Sequence, residues 1–184
     1  YLYALNTADG SVLWRQLSAR ALANSTAVYT LVESKTSNTS TLTARDAHTG
    51  KQLWQHTYPI VGSKSDPAYG TDDTEGFRLI AVTDQLLYAV VAFQQNGRTF
   101  FARYGLSPAD GSILWHNQEA LVGRMPQVEA HMVNGVIYTA EYNLKSIAPY
   151  VDLHGMTVNE IPQVRAAAYD LATGHQRWQT PYMV

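Results

Sequence analysis

The chain contains no cysteine among its 184 residues, and this absence limits its chemistry. Without a thiol it has no disulfide framework, no thiolate zinc site and no cysteine nucleophile. The compartment stays open, because exported and cytosolic proteins can both lack cysteine.

Charge is also scarce and nearly balanced. Charged residues make up 15% of the chain, and thirteen basic residues against fifteen acidic ones give a net charge of −2. Binding to nucleic acid or to an anionic membrane surface requires a basic patch that such a composition does not supply. We therefore expect no nucleic-acid partner.

Long hydrophobic runs are missing as well. No stretch approaches the roughly 18 apolar residues of a membrane-spanning helix, so we expect no membrane span in this chain. The first ten residues also lack the basic start and apolar middle of a signal peptide. They already belong to the repeat described next, which suggests a fragment of a larger protein.

Strand-forming residues are plentiful. The hydrophobic content is 46%, with twelve tyrosines, and threonine, valine and leucine recur between glycine-containing turns. Aromatic and β-branched side chains suit the pleated surface of a sheet. The composition thus favours an all-β fold.

All four tryptophans end the same phrase, a glycine followed by three residues and then the indole. A short polar residue stands four positions before each glycine, where it can bond the backbone of a hairpin turn, and glycine supplies the positive φ of that turn. The phrase predicts a strand, a tight turn and a second strand in four copies. The residues are Gly10 and Trp14, Gly50 and Trp54, Gly111 and Trp115, and Gly174 and Trp178.

Two further extended stretches precede the hairpin in the complete units, and Tyr29, Tyr88 and Tyr138 fall at matching places in them. Units of four antiparallel strands with glycine and tryptophan at fixed offsets predict blades of a β-propeller. A β-sandwich would explain the strands but not four copies of one phrase. We expect each indole to pack between adjacent blades, since it buries on the order of 200 Å².

The repeat divides residues 1–184 into one partial β-propeller of about three and a half blades. A half blade covers about 1–17, and complete blades cover 18–58, 76–118 and 126–182, with insertions at 59–76 and 143–163. This number of blades does not close a ring. Open strand edges and uncovered faces favour association, so we expect that copies of the chain can associate through them.

The phrase resembles the pyrroloquinoline-quinone-type propeller repeat, most closely at residues 3–10 and 168–174. The resemblance implies that the tryptophan docks one blade on the next and that the protein is bacterial and extracytoplasmic, in the periplasm or at the cell surface. Proteins with this repeat include quinoprotein alcohol and sugar dehydrogenases, a lipoprotein that assists outer-membrane β-barrel assembly, and extracellular sensor domains of kinases.

Catalytic and metal motifs do not emerge from the sequence. The six histidines never fall two, three or four residues apart, so no local metal pair is visible. The acidic insertion 59–76 lacks the spacing of a calcium-binding EF-hand loop and is interpreted as a solvated loop. We predict no catalytic residue and no metal site.

A dehydrogenase of the resembling kind would need an aspartate base, calcium ligands, a tryptophan stacked on the quinone and often a vicinal cysteine pair. The cysteine pair is excluded here, no aspartate can be matched to the base, and all four tryptophans are assigned to docking. We expect no cofactor in this segment and interpret the chain as a non-catalytic scaffold for interaction or ligand binding. The alternative is part of a pyrroloquinoline-quinone-dependent alcohol or sugar dehydrogenase that holds its quinone with calcium.

The second insertion, 143–163, is the candidate partner loop. A loop of roughly 20 residues in a compact domain is usually functional or disordered, and this one carries side chains that a turn does not require. We expect a protein or small-molecule ligand to bind at such rim loops. The candidate residues are Tyr150, Asp152, His154 and Met156.

Overall fold

A computed structural model describes residues 1–16, 21–34, 39–59, 77–95, 98–120, 126–151, 154 and 156–184. Regular structure in these ranges consists of strands, with no helix. The strands are β1 (Leu2–Leu5), β2 (Val12–Gln16), β3 (Ala21–Ala23), β4 (Ala27–Ser34), β5 (Thr39–Asp46), β6 (Gln52–Pro59), β7 (Phe77–Val82), β8 (Leu87–Gln95), β9 (Arg98–Leu106), β10 (Ile113–Ala120), β11 (Gln127–Val133), β12 (Val136–Val151), β13 (Thr157–Asp170) and β14 (Gln176–Gln179).

The strands form four separate sheets in chain order. Sheet 1 pairs β1 with β2, sheet 2 runs β3-β4-β5-β6, sheet 3 runs β7-β8-β9-β10 and sheet 4 runs β11-β12-β13-β14. Every pairing is antiparallel between consecutive strands. This is an unclosed, partial β-propeller, and the predicted all-β fold is confirmed.

The repeated hairpin has the predicted turn. In the last copy the Asp170 carboxylate accepts hydrogen bonds from the backbone N–H groups of Ala172 and Thr173 at 3.1 and 3.0 Å. The N–H of Gly174 donates to the carbonyl oxygen of Asp170 at 2.8 Å, and the φ of Gly174 is +70°. In the other three copies the glycine N–H likewise donates to the carbonyl oxygen of the short polar residue, and each glycine has a positive φ.

A bulge accompanies every copy of the hairpin. In sheet 3, Trp115 pairs with Gly105 and Ile113 pairs with Leu106, so Leu114 has no partner on the facing strand. The same one-residue shift stands before the other three tryptophans. Because an extra residue bends a strand and re-aims its side chains, the bulge sets the direction of each indole.

The hydrophobic core lies between the sheets rather than within one of them. One cluster joins sheets 2 and 3 through residues such as Tyr29, Leu42 and Leu87. A second joins sheets 3 and 4 through Tyr88, Trp115 and others. Each four-stranded sheet therefore depends on its neighbour to bury its apolar face.

The insertion 143–163 is not the loop that the sequence suggested. Its described residues extend β12 and β13 into a long antiparallel hairpin, with Asn143 paired to Gln163 and Val151 paired to Thr157. Aromatic and β-branched residues, including Ile147, Tyr150 and Ile161, occur on both sides of it, and such residues favour strands over loops. The prediction of a loop was wrong for this reason.

The other insertion, 59–76, lies outside the described residues apart from Pro59, the last residue of β6. The described part of the chain has no helix with the length and apolarity needed to cross a membrane.

Candidate interaction site

Three of the four indoles hydrogen-bond to the hairpin turn of the next sheet. In each case the acceptor is the carbonyl oxygen of the residue that follows the short polar residue of that turn. The bonds run from Nε1 of Trp14 to Ala47 at 3.0 Å, of Trp54 to Pro108 at 2.9 Å, and of Trp115 to Leu171 at 3.0 Å.

The turn glycine of the next sheet lies directly against the indole. A Cβ atom at Gly174 would lie 2.3 Å from Cε3 of Trp115, inside the van der Waals distance. Gly50 and Gly111 also lie against Trp14 and Trp54, since a Cβ atom at either would lie 2.7 Å from the nearest ring atom. Glycine is therefore needed at these turns for two reasons, the positive φ and the close approach of the ring.

Gly174→Ala and Gly10→Ala form a matched pair that separates these two reasons. Both residues have a left-handed φ, +70° and +73°, but a Cβ atom at Gly10 would meet nothing within 4 Å. We expect Gly10→Ala to lower the free energy of unfolding by about 1 to 2 kcal/mol, the cost of a left-handed non-glycine residue. Gly174→Ala should cost about 1 to 3 kcal/mol more because the methyl group displaces Trp115. Equal urea-unfolding midpoints for the two variants would contradict this.

A tyrosine accompanies the indole with similar geometry in all three complete sheets. The ring centroids are 6.0 Å apart for Tyr29 and Trp54, 6.4 Å for Tyr88 and Trp115, and 6.5 Å for Tyr138 and Trp178, with interplanar angles of 47°, 42° and 50°. The next sheet covers the first two pairs, whose tyrosines are buried. The third pair is uncovered.

The outer face of sheet 4, defined here by Tyr138, Tyr142 and Trp178, is consequently aromatic and exposed. Their side chains are 42%, 45% and 47% exposed. Nearby in sequence, Val133 and Met183 are also about half exposed. Large apolar patches of this kind mark interaction surfaces on soluble proteins.

Three of the four candidate partner residues, Tyr150, His154 and Met156, lie at or near the end of the extended hairpin. Tyr150 is in β12, paired with Val158, while His154 and Met156 are exposed near the turn. Asp152 lies outside the described residues. The structure thus places these three candidates on one hairpin, at a distance along the strands from the Tyr138–Trp178 pair.

A group of four charged residues between sheets 3 and 4, the ion cluster, was missed by the sequence analysis. Glu141 is fully buried and accepts hydrogen bonds from Nη2 of Arg103 at 2.6 Å and Nε of Arg165 at 2.7 Å. Arg103 also donates to Glu119 at 2.8 Å, and Arg165 donates to the same Glu119 oxygen. Two residues come from each sheet, and the cluster carries no net charge.

The ion cluster is electrostatically complementary. Burial raises the pKa of Glu119, but the charges and hydrogen bonds of Arg103 and Arg165 outweigh burial and hold that pKa below its usual value. Burial lowers the pKa of Arg103, yet the nearby carboxylate of Glu141 makes the net shift upward. Burial raises the pKa of neighbouring Tyr169 to about 12. The raised pKa values of Arg103 and Arg165 and the lowered pKa of Glu119 keep these three side chains charged at neutral pH.

A signal for this cluster was present in the repeat. When the sheets are aligned on the residue paired with each tryptophan, Arg103 stands where sheet 2 has the buried Leu42. A charged residue at a repeat position that is otherwise occupied by a core residue indicates a buried ion pair, since isolated charges are rarely buried. The repeated turns and tryptophans do not reveal this difference, which lies in the strand interiors.

Among the described residues, no group of three or more histidine, aspartate or glutamate side chains is placed to hold a metal ion. Trp14, Trp54 and Trp115 are engaged with neighbouring turns. Of the docking tryptophans, only Trp178 presents an uncovered ring, and it lies on the outer face of sheet 4.

Comparison with known proteins identifies the repeat. A family model described as outer membrane protein assembly factor BamB matches residues 1–182. No curated protein matches the chain significantly.

Solved structures resemble the chain only loosely. An apocarotenoid oxygenase mutant from Synechocystis is 17% identical, with a TM-score of 0.40 over 86% of this chain and 35% of its own length. A quinohemoprotein alcohol dehydrogenase from Pseudomonas putida is 12% identical, with a TM-score of 0.31 over 96% of this chain and 55% of its own. The chain thus spans about a third and about half of these two proteins.

Proposed function

Because the chain belongs to the family described as outer membrane protein assembly factor BamB, we propose that it is a non-catalytic interaction module. Its binding surface is the outer face of sheet 4. The partner is a protein that presents a β-hairpin turn with a glycine against which the indole can pack. The chain's own inter-sheet contacts define the chemistry of that partner. No quinone or metal takes part in this function.

The observation that carries the proposal is the Tyr138–Trp178 pair. Its geometry matches the two pairs that are covered by a neighbouring sheet, as the centroid distances of 6.0, 6.4 and 6.5 Å show. The exposed pair is therefore held in the arrangement that receives a sheet, before any partner binds. Such preorganisation favours binding because little side-chain entropy remains to be lost.

The chain itself contains one turn of the required type that carries no indole. Gly10 has the same φ as the covered glycines, and the space above it is open to 4 Å. By the pattern of the other turns, the acceptor for an incoming Nε1 there is the carbonyl oxygen of Thr7. A second copy of the chain is thus a partner of the right chemistry, with Trp178 of one copy on the Gly10 turn of the other.

Light scattering behind size exclusion tests this surface. We expect the mass of the wild-type chain to rise from 20.4 kDa as concentration increases from low to high micromolar. Tyr138→Glu with Trp178→Glu should stay at the monomer mass, because two carboxylates cannot be desolvated in that contact. Leu53→Glu, which adds a charge at an exposed position of sheet 2, is the matched control and should behave like wild type.

Two results would overturn the proposal. One is a monomer mass for the wild type at every concentration. The other is stoichiometric binding of pyrroloquinoline quinone with calcium together with dye-linked oxidation of an alcohol or sugar, which would favour the dehydrogenase alternative.

We also propose that the protein acts outside the cytoplasm of a bacterium. The support is the family description, which refers to an assembly factor of the outer membrane. Fractionation of cells that produce the full-length protein, with cytoplasmic and periplasmic markers, checks this location.

A further inference from the structure

The three complete sheets share the same docking phrase, so this phrase does not specify which sheets pack against each other. The indole, the turn glycine and the accompanying tyrosine are the same in type at each interface. These contacts alone do not tell sheet 3 whether its neighbour should be sheet 4 or a copy of another sheet. Misassembly of similar units is a characteristic failure of repeat proteins.

The ion cluster distinguishes the two complete interfaces. Four residues face each other at each interface. They can be matched between the two interfaces by counting residues from the tryptophan, from the residue paired with it across the strands, and from the tyrosine of the same sheet. Between sheets 2 and 3 all four are apolar or aromatic and belong to one buried cluster, whereas between sheets 3 and 4 all four are charged. The matched residues are Leu42 and Arg103, Tyr58 and Glu119, Val91 and Glu141, and Ala102 and Arg165.

We propose that the ion cluster determines which sheets become neighbours, by making sheet 4 the only complementary partner for the outer face of sheet 3. The cluster works through its hydrogen bonds across the interface. Arg103 of sheet 3 bonds Glu141 of sheet 4, and Arg165 of sheet 4 bonds Glu119 of sheet 3.

The wrong pairing of sheet 4 on sheet 2 is penalised in two ways. Glu141 and Arg165 would keep their bond to each other but would be buried against Leu42 and Tyr58, which offer them no ionic partner. In addition, an arginine would stand where the native interface holds the much smaller Ala102, and overpacking of a core is unfavourable. Both terms act against the wrong neighbour without weakening the right one, which is how specificity is commonly obtained.

The absence of cysteine allows neighbours to be read out by engineered disulfides. Ser25 and Asp84, in the first turns of sheets 2 and 3, are joined by a 2.7 Å hydrogen bond and are exposed, so Ser25→Cys with Asp84→Cys reports the native neighbours. Asn134 stands four residues before Tyr138, as Ser25 and Asp84 stand four residues before Tyr29 and Tyr88, and it is exposed in the corresponding turn of sheet 4. Ser25→Cys with Asn134→Cys therefore reports the wrong pairing, within one chain or between two.

Each cysteine pair is placed in the wild-type background and in a chain whose ion cluster is replaced by the residues of the other interface. The replacements are Arg103→Leu, Glu119→Tyr, Glu141→Val and Arg165→Ala. After refolding from urea under oxidising conditions, we expect the 25–134 disulfide to increase roughly tenfold in the replaced chain, the factor that a loss of about 1.4 kcal/mol of discrimination between neighbours gives. The 25–84 disulfide should decrease correspondingly.

An unchanged yield of the 25–134 disulfide in a folded replaced chain would overturn the proposal. If the fourfold replacement does not fold, Arg103→Leu with Glu141→Val removes the two most buried charges and leaves the pair of Glu119 and Arg165. Failure of both variants to fold would also overturn it, because the cluster would then be required for folding itself rather than for the choice of neighbour.

Discussion

Trp115→Ala is expected to lower the free energy of unfolding by about 3 to 5 kcal/mol, the cost of truncating a buried tryptophan. The indole is only 9% exposed and lies between Gly105 of its own sheet and Gly174 of the next. Its removal leaves a cavity between two flat backbone surfaces, and it also leaves the carbonyl oxygen of Leu171 without the bond from Nε1.

Trp14→Ala and Trp178→Ala are the comparisons for this variant. Trp14 contacts the next sheet in the same way but belongs to the two-stranded sheet 1, so we expect a smaller loss than at Trp115. Trp178 is about half exposed, and its truncation should cost only about 1 kcal/mol. Urea unfolding followed by circular dichroism measures all three, and equal losses would show that the indole contact between complete sheets has no special weight.

The fold could be predicted from the sequence because its determinants are local and repeated. The turn before Gly174 needs a short polar residue and a glycine with positive φ, and both are visible as letters at a fixed spacing. The bulge at Leu114 was not predicted, because a spacing along the chain counts residues and does not reveal which of them are paired across strands. The family match covers residues 1–182, the part of the chain that contains all four copies of the phrase.

The candidate site was harder to predict because it depends on what lies opposite each face. Tyr138 and Tyr88 look alike in the sequence, yet one is exposed and the other is buried, and only the position of the next sheet decides which. The long hairpin after Tyr142 was interpreted as a loop because the repeat gives no information on inserted residues. Strand propensity at Ile147 and Tyr150 was the available signal.

The ion cluster shows the same limit in another form. Glu141 is in a strand of alternating side chains, and a charged residue there is normally read as facing solvent. Alternation along β12 shows that Glu141 and Ile137 share a face, and Ile137 is fully buried. The charge of Glu141 then requires a buried partner, but sequence alone does not tell that the partner comes from β9.

Glu141→Ala should be as damaging as the loss of Trp115, at about 3 to 5 kcal/mol, because removing one member of a buried ion pair leaves the other uncompensated. Arg103, whose side chain is 4% exposed, would keep only Glu119, and Arg165 would lose its Nε bond. Glu119→Ala is the matched control, since Glu119 is 36% exposed and water can replace part of its role.

The double variant Arg103→Leu with Glu141→Val separates the cost of a broken pair from the value of the pair itself. Replacing buried ion pairs by apolar residues of similar size is often neutral, or stabilising by about 1 to 4 kcal/mol. We therefore expect the double variant to be more stable than Glu141→Ala, although it lacks more hydrogen bonds. If urea unfolding instead showed that the double variant is less stable than Glu141→Ala, the cluster would contribute net stability. Its presence between sheets 3 and 4 would then need no explanation through the choice of neighbour. If the double variant recovers stability, these charges are not required for stability, and selection of the correct sheet is the role that remains for them.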